Sequence, residues 1–184
     1  TWTPATLPKR NWKDLVLSDD GKTILAVTGK AANGAVAGGV FQGVMTAGQG
    51  LNGITWTEVT RSAASNGDWL SVDMDASGKR WVASTTDGKI FYADTTQTNW
   101  KWQAAGTMGQ DTRVSISDDG TSLVATGSGS NGGVWISSDL GKTWARAAGR
   151  GEMGVAAGSN WVGAAVDGKT GQVTAVAKDN AILR

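Results

Sequence analysis

The chain has 184 residues, enough for one domain with a sizeable core. Its formal net charge is +1 and its 17 Lys and Arg are scattered, so nothing marks a nucleic-acid partner; no run approaches the ~18 apolar residues of a membrane-spanning helix. With no cysteine and no histidine, disulfides, thiolate or imidazole metal sites, cysteine nucleophiles and a Ser-His-Asp triad are excluded.

In chain order, the first unit opens at Asn11-Trp12. A short strand with Leu15 and Leu17 two residues apart runs into the polar turn Ser18-Asp19-Asp20-Gly21. Strands follow at 23–27, at 39–41 after a Gly/Asn-rich connection, and at 55–59 around Trp56. The second unit repeats this plan from Asp68-Trp69, with Val72 and Met74 before a turn ending at Gly78, then strands at 81–83, 89–92 and 100–103. The third starts at Asp111, places Val114 and Ile116 before the turn at 117–120, and continues at 123–125, 133–136 and 143–146. The fourth starts at Asn160-Trp161, places Ala164 and Val166 before a turn reaching Gly171, and continues at 173–176 and 181–183. It reaches Arg184 without a fourth strand, and Thr1-Trp2-Thr3-Pro4-Ala5 has the character of the one missing. The 27 Gly against 2 Pro suit many tight turns between short strands.

Ser137-Ser138-Asp139-Leu140-Gly141-Lys142-Thr143-Trp144 resembles the Asp box, S-x-D-x-G-x-T-W, of BNR-repeat, sialidase-like and lectin-like β-propellers. The spacing has a mechanical reading: Asp139 can accept hydrogen bonds from turn N–H groups, Gly141 can supply a left-handed backbone, and Trp144 can pack beside the next blade. Four units in 184 residues give 46 each, near the ~40–45 of a common blade. The expectation is therefore an all-β, four-bladed β-propeller with four antiparallel strands per blade and the N-terminal strand completing the C-terminal blade. It would be a single domain over 1–184, with approximate blades at 11–60, 68–105, 111–148, and 160–184 plus 1–6. A half-ring that pairs with a second copy into eight blades is the structural alternative to a closed monomer.

The resemblance also implies an enzyme to weigh, since sialidases carry an arginine triad, a Tyr nucleophile with a Glu partner and an Asp acid. Here Arg occurs at 10, 61, 80, 113, 146, 150 and 184 outside that family's contexts, and the lone tyrosine, Tyr92, sits at an apolar third-strand position. Other glycosidases need a carboxylate pair ~5–9.5 Å apart, and most Asp residues here belong to repeated turns. Asp73-Met74-Asp75-Ala76-Ser77-Gly78 opens like a calcium loop, but Ser84 stands where the bidentate Glu is required. No catalytic residue, metal or cofactor is expected.

Ten tryptophans are the remaining signal. Trp2, Trp56, Trp102 and Trp144 fall on fourth strands and Trp81 and Trp135 on inner ones, where packing is the plain reading. Trp12, Trp69 and Trp161 each follow Asn or Asp at the start of an innermost strand, with Asp111 at the corresponding place in the third unit. Meander topology puts them on the face opposite the Asp box, beside the loops at 30–34, 86–88, 128–132 and 178–180. This points to a non-catalytic carbohydrate-binding module, with Trp12, Trp69 and Trp161 as stacking platforms and Asn11, Asp68, Asp111 and Asn160 as hydroxyl partners. The same Trp residues could instead wedge between blades. A structural or protein-interaction scaffold, using exposed Val36, Val44 and Met45, is the second reading, and a glycosidase the third. The expected partner is a glycan or a protein, with no nucleic acid and no membrane insertion. The Thr-, Ser-, Gly- and Asn-rich, sparsely charged composition suggests a secreted or cell-surface protein.

Overall fold

The computed structural model describes residues 7–34, 36–46, 48, 53–59, 67–147, 160–178 and 182–183. Within them the chain forms no α-helix, and its extended elements are strands. The first sheet contains β1 (Asn11–Leu17), β2 (Thr23–Gly29), β3 (Gly39–Met45) and β4 (Ile54–Glu58). The second contains β5 (Trp69–Met74), β6 (Arg80–Thr85), β7 (Lys89–Asp94) and β8 (Gln103–Thr107). The third contains β9 (Gln110–Ile116), β10 (Leu123–Ser128), β11 (Gly133–Ser137) and β12 (Ala145–Arg146). The fourth contains β13 (Trp161–Val166), β14 (Val173–Ala177) and β15 (Ile182–Leu183).

Each sheet is an antiparallel meander hydrogen-bonded in chain order. The first strands stack on one another, β1 on β5, β5 on β9 and β9 on β13, so they line the axis and the later strands radiate outward. The chain is an all-β propeller of four blades. The segment expected to close it, residues 1–6 with Trp2, lies outside the described residues, as does the last blade's expected boundary at Arg184.

The fourth strands of the second and third blades start later than their sequence suggests. β8 starts at Gln103 and β12 spans only Ala145–Arg146, so Trp100, Trp102 and Trp144 precede their strands. Their rings leave the ladder to fill the gap between blades. Trp102 is buried against Trp69 and Trp81, and the Trp144 indole N–H reaches across to the Ala105 carbonyl at 2.5 Å.

The core consists of these gaps. Leu25, Val27 and Val40 of the first blade meet Trp69, Val72, Met74 and Trp81 of the second. Val82, Ile90, Tyr92 and Ala105 meet Val114, Ile116, Leu123 and Ala125. Val124 and Val134 meet Trp161, Val166 and Ala175. Polar pins cross the same gaps: Asp14 Oδ2 accepts the Ser71 hydroxyl at 3.0 Å and the Val72 N–H at 3.1 Å, and Asp73 Oδ2 accepts the Ile116 N–H at 3.0 Å. Burial raises the Asp73 carboxyl above its ordinary pKa, against the pull of that N–H.

Candidate functional site

The hairpin at 137–144 folds as the spacing of Asp139 and Gly141 implies, but Trp144 packs on the preceding blade, at Ala105, rather than beside the next one. Asp139 Oδ1 accepts the Ser137 hydroxyl and the Thr143 N–H, each at 2.8 Å, while Oδ2 accepts the Thr143 hydroxyl. The Thr143 donors hold the Asp139 carboxyl down at about 2. Gly141 has φ +84°, and a Cβ there would fall 2.5 Å from the Ala105 Cβ of the neighbouring blade, so only glycine fits. All of these groups are spent on the hairpin and its junction with the preceding blade. The segment is structural here.

The turns between first and second strands use their acids in the same way. Asp20, Asp119 and Asp167 accept backbone N–H groups of their own turns. A cleft of about 430 Å³ lined by Asp118, Asp119 and Asp167 opens beside them, between the third and fourth blades. Asp119 and Asp167 are thus already committed to their turns, whereas the side chains of Asp118, Lys169 and Gln172 make no hydrogen bond or ion pair among the described residues. In the stretch that opens like a calcium loop, Asp73 accepts the Met74 and Ile116 N–H groups, and Asp75 accepts from Lys79, Arg80 and Ser77.

On the opposite face, β1, β5, β9 and β13 begin and the loops between second and third strands emerge. Asn11 and Asp68 act there as clamps on one loop residue. The Asn11 side-chain amide donates to the Lys30 carbonyl at 3.0 Å, and Asp68 Oδ1 accepts the Lys30 N–H at 2.7 Å. Asp68 Oδ2 also takes the Thr86 hydroxyl at 3.2 Å. Asp68 thereby ties the first blade's loop to the second blade, while Asn11 holds that loop to the start of its own blade.

The tryptophans divide differently from the platform expectation. Trp69 is 1% exposed, with its centroid 5.4 Å from Phe91 and 5.9 Å from Trp102, and Trp161 is 3% exposed between the last two blades. Neither offers a ring face for stacking; both are wedges. The cause is a β-bulge. The register shifts between Trp69 and Ser71, and again between Trp161 and Gly163, so strict alternation breaks one step after each Trp. Trp69 thereby joins Val72 and Met74 in the gap, and Trp161 joins Ala164 and Val166. Trp12 carries the same bulge but is only half-buried, packed edge-on against Phe41 at 5.2 Å.

Asp111 and Asn160 are exposed and come together with the rim of Trp161 in a second cleft, about 310 Å³, between the third and fourth blades. Arg113, Ser128, Val162 and Lys178 complete its lining. Asp111 takes a left-handed backbone, φ +50°, in the bulged start of β9, and its N–H is anchored to the Thr86 carbonyl at 3.0 Å. Non-glycine residues adopt that conformation infrequently, and such positions concentrate at functional sites. Among the described residues, Asp111, Arg113, Asn160 and Lys178 spend no side-chain hydrogen bond or ion pair on the protein. A carboxylate, a guanidinium, an amide and an ammonium thus line one cleft uncommitted. Sequence reasoning missed Arg113 and gave Lys178 only as a loop residue. Arg113 follows the start of β9 by a bulge that the one-letter pattern does not reveal.

Of the sialidase-type groups, Arg10 stacks over Phe41 and pairs with Glu58, Arg80 donates to the Asp119 carbonyl, and Arg146 lies over Trp135 and donates to the Gly132 carbonyl. Tyr92 is buried in the gap between second and third blades, where burial raises its pKa.

No protein-family model and no curated protein sequence matches the chain. Solved structures do. It is similar to a putative 6-phosphogluconolactonase from Bacteroides uniformis (18% identity, TM-score 0.61), covering 93% of this chain and 49% of that one. It is similar to a chain of the nidogen/laminin complex (14%, TM-score 0.62), covering 91% and 57%. A third is the Cps50 (Swd1) β-propeller domain of Myceliophteria thermophila (13%, TM-score 0.55), covering 91% and 51%. The chain spans about half the length of these structures. At such identities the likeness establishes the fold alone: this chain folds as a β-propeller.

Proposed function

We propose that this protein is a non-catalytic binding module that takes a carbohydrate in the cleft between its third and fourth blades. The observation that carries the reading is the convergence of Asp111, Arg113, Asn160 and Lys178, none of them committed elsewhere among the described residues, around a cleft of about 310 Å³. A carboxylate and an amide suit sugar hydroxyls, each offering acceptors or donors at fixed angles. Two cations against one acid favour a saccharide that carries carboxylate or sulfate groups, which a guanidinium fork can grip in bidentate fashion. Trp161 supplies an apolar rim rather than a stacking platform. The commitment of Arg10, Arg80 and Arg146 to packing and backbone contacts, with the buried Tyr92, supports binding over hydrolysis.

A glycan array probed with labelled protein tests this. Acidic glycans should give signal that the variants Arg113→Ala and Asn160→Ala lose while remaining folded. Signal on neutral glycans alone, or signal unchanged in both variants, would refute the assignment. The scaffold reading keeps one supporting observation: Val36 and Val44 are 44% and 47% exposed, beside half-buried Met45. Under that reading the array stays silent, and charged substitutions at Val36 and Val44 abolish capture of a protein partner.

A further inference from the structure

Every internal junction of the fold follows one rule. The face of a blade that carries its first-strand pair at the Leu15 and Leu17 positions packs on the blade before it. In the second blade that pair is Val72 and Met74, 4% and 6% exposed; in the third it is Val114 and Ile116, 7% and 5%. The opposite face, led by second-strand residues such as Leu25, Val82 and Val124 (0%, 0% and 1% exposed), packs on the blade after it. The first blade has no predecessor among the described residues, and Leu15 and Leu17 stand 68% and 50% exposed. The last blade has no successor there. Val176, aligned with the fully buried Val27, is 37% exposed, and Ala165 and Thr174 are open as well. No packing comparable to that of β1 on β5 joins β13 to β1.

These two faces correspond in position to the two sides of junctions that occur three times within the chain, with Thr174 standing where Leu25, Val82 and Val124 stand in the other blades. Chain length supplies the second argument. The match covers 49% and 51% of two solved propeller-like chains, so two copies supply about one such ring's length. A net charge of +1 puts no strong repulsion between copies. We propose that two copies of this chain pack head to tail, the first blade of each against the last blade of the other, closing one propeller of eight blades. Each seam pairs unlike faces, and a half-turn relating the copies makes the two seams equivalent and ends the assembly at two copies.

Sedimentation equilibrium over a wide micromolar range tests this on the 184-residue chain. The expected species has twice the 18.9 kDa chain mass. Leu15→Glu and Val176→Glu, at opposite ends and both exposed, should each reduce it to the single-chain mass with an unchanged circular dichroism spectrum. Wild type at the single-chain mass throughout overturns the proposal, and leaves those faces to other parts of a longer polypeptide. Open-ended larger assemblies overturn it too. So does a dimer that Leu15→Glu dissociates and Val176→Glu does not, because that pattern means first blades meeting each other.

Discussion

Trp69→Ala should destabilise the fold by about 3–5 kcal/mol. A buried Trp removes roughly 150–250 Å² from water, worth about 4–6 kcal/mol at ~25 cal/mol per Å². Alanine recovers little of that, because the hole is walled by Phe91, Trp102 and strands of two blades that cannot collapse together. On a chain of this size the loss corresponds to a fall in Tm of about 10 °C. Urea denaturation followed by far-UV circular dichroism measures it, with the slope checked for constancy so that the midpoint reports stability. Trp12→Ala is the internal control. It occupies the same strand position, yet it is half-buried on an open blade face, so about 1–2 kcal/mol is expected. A Trp69→Ala loss below about 1 kcal/mol, or no greater than that of Trp12→Ala, would refute the wedge reading.

Asp14→Ala removes the acceptor of the Ser71 hydroxyl and the Val72 N–H across the first junction, and should cost about 1–3 kcal/mol in the same assay; an unchanged midpoint would contradict the pin. Thr126 is fully buried and its hydroxyl finds no partner among the described residues, so Thr126→Val should be neutral or stabilise by up to about 1–2 kcal/mol, and a clear loss would reveal a partner. Asp139, held at about 2 against an ordinary 3.8, contributes stability that is present above pH 4 and is lost as pH falls toward 2. The acid slope of the urea midpoint should therefore be shallower in Asp139→Asn than in wild type, and superimposable profiles would remove the hairpin carboxylate from the account.

Much of the architecture was legible because the units repeat. A single alternating strand is ambiguous, but Leu15, Val72, Val114 and Ala164 at matching offsets before similar turns define a tandem meander. The turn at 137–143 was legible because Ser137, Asp139 and Thr143 answer one another's local backbone demands, whereas the side on which Trp144 packs is set by Ala105 of another blade and was not. The orientation of the innermost-strand tryptophans was not legible. Alternation puts Trp69 with Ser71 and Asp73, whereas a bulge of one residue puts it with Val72 and Met74. That single step separates a solvent platform from a core wedge, and nothing in Asp68-Trp69-Leu70-Ser71 announces it. The division of labour among the polar residues was equally hidden. Asn11 and Asp68 match Asn160 and Asp111 in type and position, yet the first pair clamps Lys30 while the second lines an uncommitted cleft. The difference lies in what the adjacent loop offers, which is long in the first blade and short in the later ones.

The most direct test of the binding reading is the indole region of a nitrogen–proton correlation spectrum, titrated with an acidic oligosaccharide. It holds one Nε1–H signal for each of the ten tryptophans, and Trp161→Phe assigns the one at the cleft. The account predicts a saturable shift concentrated on Trp161, absent in Arg113→Ala, with Trp12 and Trp69 unmoved. A shift centred on Trp12 or Trp69, or saturation that survives Arg113→Ala, would contradict it.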